Sequence, residues 1–319
     1  MVVAALAFGC AGIVPFVGAP VFGVLLGVLA AVPFGRAARG AWKPGIQVAG
    51  KTVLQASVVL LGATIDFGEI SRTSAASLPV MLGTLALALV AAAVLGRLLG
   101  LDPKMRTLIG VGTSICGVSA IAAVAPVIAA DESAIAYAIT TIFIFNVAAV
   151  LAFPPLGHLL GMSPGAFGLW AGTAINDTSS VVAAGYAFAP LAATAAVIVK
   201  LTRTLLIIPI VLALVARKLL AGRREVPPVP WRRLVPPFMI WFVVAVGINS
   251  LGIVPVGAHA PIAAVALGLI VVALAGVGLS SDFAAMRRAG VRPVLFGGLL
   301  WIVVALSSLA LQAVTARAF

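Results

Sequence analysis

The chain has 319 residues, of which 63% are hydrophobic and only 9% are charged. Soluble domains carry about 25% charged residues, so this composition excludes a water-soluble globular protein and predicts a protein surrounded by lipid. The formal net charge is +12, which in a soluble protein would suggest nucleic-acid binding. Cys10, Cys116 and the two histidines match no ligand spacing, so neither a disulfide framework nor a metal site is expected.

Apolar stretches follow one another along the whole chain. A helix needs about 20 apolar residues to cross the hydrocarbon core of a bilayer. Eleven candidate spans are predicted, at 2–16, 19–35, 50–67, 77–97, 107–130, 134–158, 165–187, 190–216, 234–253, 260–279 and 293–315. We therefore predict a single transmembrane domain over 1–319, an all-α polytopic bundle of about 10–11 helices. Its first 35 residues form either one span or two.

Lysine and arginine collect in alternate loops of this prediction. Sixteen of the twenty basic residues fall on one side: Arg36, Arg39, Lys43, Lys51, Arg97, Lys104, Arg106, Arg217, Lys218, Arg223, Arg224, Arg232, Arg233, Arg287, Arg288 and Arg292. The acidic residues of the other side are Asp66, Glu69, Asp131 and Glu132. Cytoplasmic loops are enriched in Lys and Arg, so Met1 is predicted in the cytoplasm and Phe319 outside. The positive charge is then a topology signal, and no nucleic-acid partner is expected.

Two predicted spans are interrupted by polar, glycine-marked segments. Residues 110–119 read Gly-Val-Gly-Thr-Ser-Ile-Cys-Gly-Val-Ser, and residues 172–180 read Gly-Thr-Ala-Ile-Asn-Asp-Thr-Ser-Ser. With an offset of sixty, the pairs that coincide are Gly112/Gly172, Thr113/Thr173, Ile115/Ile175, Ser119/Ser179 and Ala123/Ala183. Hydroxyl side chains offer the backbone alternatives to the helix, and paired broken helices are typical of transporter sites. We predict two discontinuous helices whose restarting halves point their positive ends at a cavity.

Two other readings of these segments stay open. Small residues also serve close helix packing in membranes, and Asp177 or Thr178 could be a plain N-cap. Because the single span 134–158 separates the breaks, both would cross the membrane in the same direction. These two segments would therefore be inverted copies only if one of them is re-entrant. A weaker match, 61–67 against 275–283, does join ends on opposite sides, so an inverted repeat stays possible.

Lys200 and Arg203 are two basic residues in the middle of an apolar span. Their spacing of three places both on one helix face, and each would cost about 2.5–3.5 kcal/mol at the bilayer centre. Pro209 should bend the helix just beyond them. One carboxylate, Asp177, cannot neutralise two cations, so the pattern favours an anion site. The alternatives are a structural ion pair with Asp177, snorkelling toward an interface, or a proton or cation relay.

Residues 112–123, 172–185 and 200–203 together resemble the YeiH-like sulfate exporter family of bacterial inner-membrane proteins. The resemblance runs from about Pro44 to the C-terminus, with the three motifs in the family's order and spacing. Members commonly carry His-Glu and Ala-Gln where this chain has Asn176-Asp177 and Ser179-Ser180. The resemblance implies a multi-pass protein of the bacterial inner (cytoplasmic) membrane and sulfate as substrate.

These patterns predict a secondary active transporter that exports a small anion such as sulfate or sulfite. No nucleotide-binding loop is present, so an ion gradient is expected to drive it, with Asp177 coupling Na⁺ or H⁺. The alternative is a Na⁺- or H⁺-coupled carrier of an organic or organosulfur anion; a passive channel is less favoured. No enzyme activity is expected, because no catalytic motif is found.

The predicted substrate-binding residues are Thr113, Ser114, Cys116, Gly117, Ser119, Asn176, Asp177, Thr178, Ser179, Ser180, Lys200 and Arg203. The expected partners are a small anionic substrate and the lipid bilayer, and no cofactor is expected besides the coupling ion. Two small-residue motifs, Gly23-x-x-x-Gly27 and Gly96-x-x-x-Gly100, could pack helices within a protomer or in a homo-oligomer.

Overall fold

The structure is a computed structural model that describes residues 1–13, 18–220, 234–281 and 290–315. Within these ranges the chain is helical and contains no strand. The helices are α1 Val2–Ile13, α2 Gly18–Arg39, α3 Lys43–Gly62, α4 Phe67–Leu98, α5 Pro103–Ser114, α6 Val118–Val127, α7 Glu132–Leu159, α8 Pro164–Ala174, α9 Thr178–Phe188, α10 Pro190–Leu220, α11 Pro237–Ser250, α12 Val256–Leu279 and α13 Val291–Val314.

Seven of these described helices are long and apolar enough to cross a membrane: α2, α3, α4, α7, α10, α12 and α13. Large apolar side chains also cover the outer surface; Leu98 is 78% exposed and Trp241 is 64% exposed. Such a surface is stable in lipid and not in water. The predicted all-α polytopic membrane fold, with its two helix breaks, is confirmed.

Local sequence explains most helix ends. Asp66, Asp102, Asp131 and Ser163 each accept a hydrogen bond from a backbone N–H of the helix that follows, which satisfies a donor the helix cannot pair. The long helix α10 turns at Leu206. Pro209 accounts for this interruption, because its ring has no N–H and displaces the carbonyl four residues earlier.

The first broken helix, α5 with α6, folds back on itself. The Lys104 ammonium at the start of α5 donates a 2.7 Å hydrogen bond to the carbonyl of Ala129, just beyond the end of α6. The two arms, with 12 and 10 residues, are each about 15–18 Å long at 1.5 Å per residue. Residues 103–127 therefore form a re-entrant hairpin, hairpin A, that reaches about half the depth of the hydrocarbon core.

The second broken helix, α8 with α9, folds back in the same way. Phe167 near the start of α8 stacks on Phe188 at the end of α9, with ring centroids 4.1 Å apart. A Cβ at Gly168 would lie 2.6 Å from Ala195 Cβ, and one at Gly185 would lie 2.6 Å from Ala193 Cα. One arm thus runs parallel to α10 and the other antiparallel to it. Residues 164–188 form hairpin B.

The two hairpins enter the bundle from opposite ends. Hairpin A follows α4 and hairpin B follows α7, and α7 crosses the bundle between them. A helix followed by a re-entrant hairpin therefore occurs twice with opposite orientation, over 67–127 and 132–188. The sixty-residue similarity marks this inverted repeat. The structure differs here from the eleven-span prediction. That prediction has 107–130 and 165–187 crossing the membrane, whereas both segments turn back and do not cross.

This change moves two acidic residues to the other side. The basic residues at described helix ends, such as Lys43, Arg97 and Arg217, lie at one end of the bundle, here called the basic end. Because hairpin A returns to the end where it started, Asp131 and Glu132 also lie at the basic end, where Lys104 interacts electrostatically with Asp131. Their predicted place on the opposite side was wrong. Six of the predicted loop residues lie outside the described residues, as do residues 14–16 of the first predicted span: Arg223, Arg224, Arg232, Arg233, Arg287 and Arg288.

The helices form two groups. The small bundle contains α1–α3, α11 and α12, and the hairpin bundle contains α4–α10 and α13. Gly23 and Gly27 of α2 pack against α12, where a Cβ at Gly27 would lie 2.5 Å from the Ala275 carbonyl oxygen. The Gly23-x-x-x-Gly27 motif therefore packs helices within one protomer.

A cross-linking experiment checks the hairpin path. With Cys10 and Cys116 replaced by alanine, a Phe167→Cys/Phe188→Cys pair should be joined by a short bis-maleimide, because the two rings are in contact. In a continuous span these positions, 21 residues apart, would be separated by about 32 Å. The matched control is Tyr137→Cys/His158→Cys, with the same spacing on the continuous helix α7, which should stay unlinked. Absence of a link at 167/188 under conditions that label both cysteines would contradict hairpin B.

Candidate functional site

The tips of the two hairpins meet at Lys200. Its ammonium donates hydrogen bonds of 2.8 Å to the carbonyl oxygens of Ile115 and Ile175. These two residues follow the last turns of α5 and α8 and are equivalent positions of the repeat. Lys200 is fully buried, so its charge is stabilised by carbonyl groups at the negative ends of two helices.

Hairpin B is held in place by an asparagine of α7. The Asn146 side-chain carbonyl accepts a 3.0 Å hydrogen bond from the backbone N–H of Asn176. Across the contact, a Cβ on Gly117 would lie 3.5 Å from the Asn176 carbonyl oxygen. Gly117 has φ +66° and ψ −124°, a conformation that L side chains rarely adopt, so glycine is required for hairpin A to turn at its tip.

The two restarting helices differ at their N-termini. At α9, the Asp177 carboxylate accepts hydrogen bonds from the Ser179 hydroxyl, the Ser180 backbone N–H at 2.9 Å and the Ser180 hydroxyl at 2.7 Å. Asp177 is therefore the N-cap of α9. At α6 the N-cap is Gly117, which has no side chain to accept from the first turn. The positive end of α6 thus lacks the carboxylate that α9 carries.

Arg203 is a fully buried cation one turn beyond Lys200. Within the described part of the chain, none of its three guanidinium nitrogens has a hydrogen-bond partner. An unpaired buried charge costs several kcal/mol, which makes this guanidinium a candidate for binding an acceptor that the described residues do not supply.

A cavity of about 1050 Å³ reaches the hairpin tips from the basic end. Its walls come from the first half of α3, the start of α11, the end of α12 and both tips. Toward the opposite end the space between the bundles is filled by an apolar cluster that includes Val24, Leu61, Val182 and Phe242. The tips are therefore reached through this cavity from the basic end, with a packed apolar layer beyond them.

The structure brings the predicted site residues together in two layers. Five line the cavity: Cys116, Ser119, Asp177, Thr178 and Ser179. The others are in the wall behind it: Thr113, Ser114, Gly117, Asn176, Ser180, Lys200 and Arg203. Asp177 interacts with Lys200 only through longer-range electrostatics, because the lysine's hydrogen bonds go to the two tip carbonyls.

Sequence reasoning missed the facing wall of the cavity. Gln47, Lys51 and Gln55 of α3 line it opposite the tips. They flank or lie in a π-helical turn, Val48–Val53, a distortion often found at functional sites. Their spacing of four was the available signal, since it places three polar groups on one face of the helix. Asn146, an amide side chain in the middle of a mostly apolar helix, was a weaker signal.

Comparison with known proteins places this architecture in a family. Residues 1–297 match the family described as Conserved hypothetical protein 698. A UPF0324 membrane protein of Streptococcus pyogenes serotype M18 is 40% identical over 311 residues, covering 93% of this chain and 90% of that protein. Relatives of the same description from Streptococcus mutans and Streptococcus pneumoniae are each 39% identical, the latter over 98% of this chain and 94% of its own length.

No solved structure matches the chain. The family match covers both hairpins, the cavity and Lys200, and the relatives are described as membrane proteins. The chain is thus a multi-pass membrane protein and belongs to the Conserved hypothetical protein 698 family, the YeiH-like proteins that its motifs resemble.

Proposed function

We propose that this protein is a secondary active transporter that exports a small inorganic anion, with sulfate or sulfite as the first candidates. One observation carries the proposal. Two re-entrant hairpins meet at mid-depth, at the end of a one-sided cavity, beside a buried arginine with no partner among the described residues. Irregular backbone at this depth is tolerated where it is buried in protein or lines a cavity.

The charges around the tips favour an anion. The cavity carries Lys51 on one wall and the uncapped end of α6 on the other, and Arg203 is buried one helical turn beyond Lys200, which contacts both tips. Among the described residues that line the cavity, Asp177 is the acidic one, and its oxygens are occupied by its own helix turn. The planar fork of arginine donors suits an oxyanion, so sulfur oxyanions fit this set better than a cation does.

The two-bundle arrangement suits alternating access. The cavity separates the bundles at the basic end, and an apolar cluster joins them at the other. A relative movement of the bundles would close the cavity at the basic end and separate the apolar cluster at the other end, as repeat-based transporters do. If the basic end faces the cytoplasm of the inner membrane, as the charge rule requires, the structure represents the inward-open state. Asp177 is the proposed coupling group for H⁺ or Na⁺.

A binding screen on the purified protein tests this function. Sulfate, sulfite, thiosulfate and taurine are added at equal ionic strength against gluconate, and the unfolding temperature is followed. A ligand at one hundred times its Kd stabilises the folded protein by about 2.7 kcal/mol. One of the sulfur oxyanions should therefore raise the unfolding temperature, and the same anion should be transported in proteoliposomes. A response to taurine alone would favour the organosulfur carrier, and no response to any of the four would refute the anion proposal.

A further inference from the structure

The Lys200 site has the geometry of an ion-coupling site. In transporters with broken helices, the unwound carbonyls and the C-terminal ends of half-helices coordinate the coupling cation. Here the carbonyls of Ile115 and Ile175 fill that role from the two tips, and each accepts a hydrogen bond of 2.8 Å from the lysine ammonium. The position where a free cation would bind is taken by a side chain.

The repeat itself builds this site. Ile115 and Ile175 are sixty residues apart and occupy the same position after α5 and α8. Two equivalent carbonyls converge because the hairpins are equivalent, whereas Lys200 lies on α10, outside both hairpins. An amine supplied from a third element joins two tips that have no direct hydrogen bond to each other among the described residues.

We propose that Lys200 is the resident cation of the hairpin junction, which replaces Na⁺ between the Ile115 and Ile175 carbonyls and makes substrate binding independent of Na⁺. This inference rests on the proposed transport function and deepens it, because it leaves H⁺ as the coupling ion. Lys200 acts here as a positioning residue: it holds both tips in the arrangement that presents the start of α6 to the cavity. Arg203, one turn farther along α10, is the other buried cation and has no partner among the described residues.

Salt-dependent thermal unfolding tests the inference without any substrate. The wild-type protein should unfold at the same temperature in NaCl, KCl, NH₄Cl and choline chloride at equal ionic strength. Lys200→Ala leaves the two carbonyls without a donor and should unfold at a lower temperature in choline chloride. Ammonium, which has the chemistry of the missing group, should restore most of this loss, and Na⁺ or K⁺ a part of it. Choline is too large for the space.

Lys104→Ala is the matched control. Lys104 also donates to a backbone carbonyl, that of Ala129 at 2.7 Å, but it is exposed. Its loss should therefore show no cation-specific recovery. Should Lys200→Ala fail to accumulate, Lys200→Ser takes its place. The comparison of Na⁺ with choline on the wild-type protein needs neither variant.

Two outcomes would overturn the inference: stabilisation of the wild-type protein by Na⁺ over choline, or a Lys200→Ala variant that responds equally to all four salts. Neither readout depends on the anion. A protein that passes this test but binds none of the sulfur anions refutes the transport proposal alone. One that binds an anion only with Na⁺ refutes the resident-cation inference alone.

Discussion

Replacing Arg203 by alanine is expected to abolish anion binding and transport while the protein still inserts and folds. Truncating one partner of a buried, hydrogen-bonded charge pair costs about 2–5 kcal/mol, which corresponds to a loss of affinity of about 30- to 5000-fold. Folding should survive, since the guanidinium has no partner among the described residues to lose, and removing an unpaired buried charge relieves a desolvation cost. Ligand-induced thermal shift and proteoliposome flux measure the effect.

Two variants give this experiment its controls. Arg217→Ala removes the same charge from an exposed position farther along α10 and should leave binding unchanged. Arg203→Lys keeps the charge but loses the planar fork, so partial binding is expected from it. Normal anion flux by the alanine variant would exclude Arg203 from the site.

Gly27→Ala is expected to destabilise the small bundle by about 3 kcal/mol or more, at the upper end of overpacking costs. The new Cβ would lie 2.5 Å from the Ala275 carbonyl oxygen, 2.9 Å from Gly278 Cα and 3.1 Å from the Leu279 nitrogen. All three are backbone atoms, so the clash is relieved only by separating α2 from α12. Urea- or heat-induced unfolding in mild detergent measures the loss.

Gly268→Ala provides the comparison on the same helix pair. Gly268 lies within α12, and a Cβ there meets nothing within 4 Å. The substitution should be neutral or slightly stabilising, because alanine loses less backbone entropy than glycine in a helix. Equal unfolding curves for the two variants would mean that α2 and α12 do not approach as closely as described.

The sequence predicted the helical class, the two breaks and the position of the buried charges. Each left a local mark: glycine and hydroxyl clusters in apolar runs for the breaks, and basic residues in a span for Lys200 and Arg203. The repeat was also visible as a sixty-residue match. These features depend on residues close together in the chain, which is why a single sequence shows them.

The path of the hairpins and the partner of Lys200 were not predictable from the same marks. A break of three residues permits either a straight continuation or a reversal. The choice depends on contacts between distant residues, such as Phe167 on Phe188 and Lys104 with Ala129. Similarly, a buried lysine shows its charge in the sequence but not its acceptors, which here are main-chain carbonyls that every residue possesses. Side-chain identity carries no information about them.

The half-depth hairpins also determine where the membrane voltage acts. A water-filled cavity would carry the potential of the basic side to the tips, so the voltage would fall mainly across the packed layer between the tips and the opposite end. Moving one elementary charge across 100 mV is worth about 2.3 kcal/mol, so a divalent anion crossing this layer gains about 4.6 kcal/mol per 100 mV. In the proposed orientation, with the basic end in a negative cytoplasm, this field would drive the proposed anion outward.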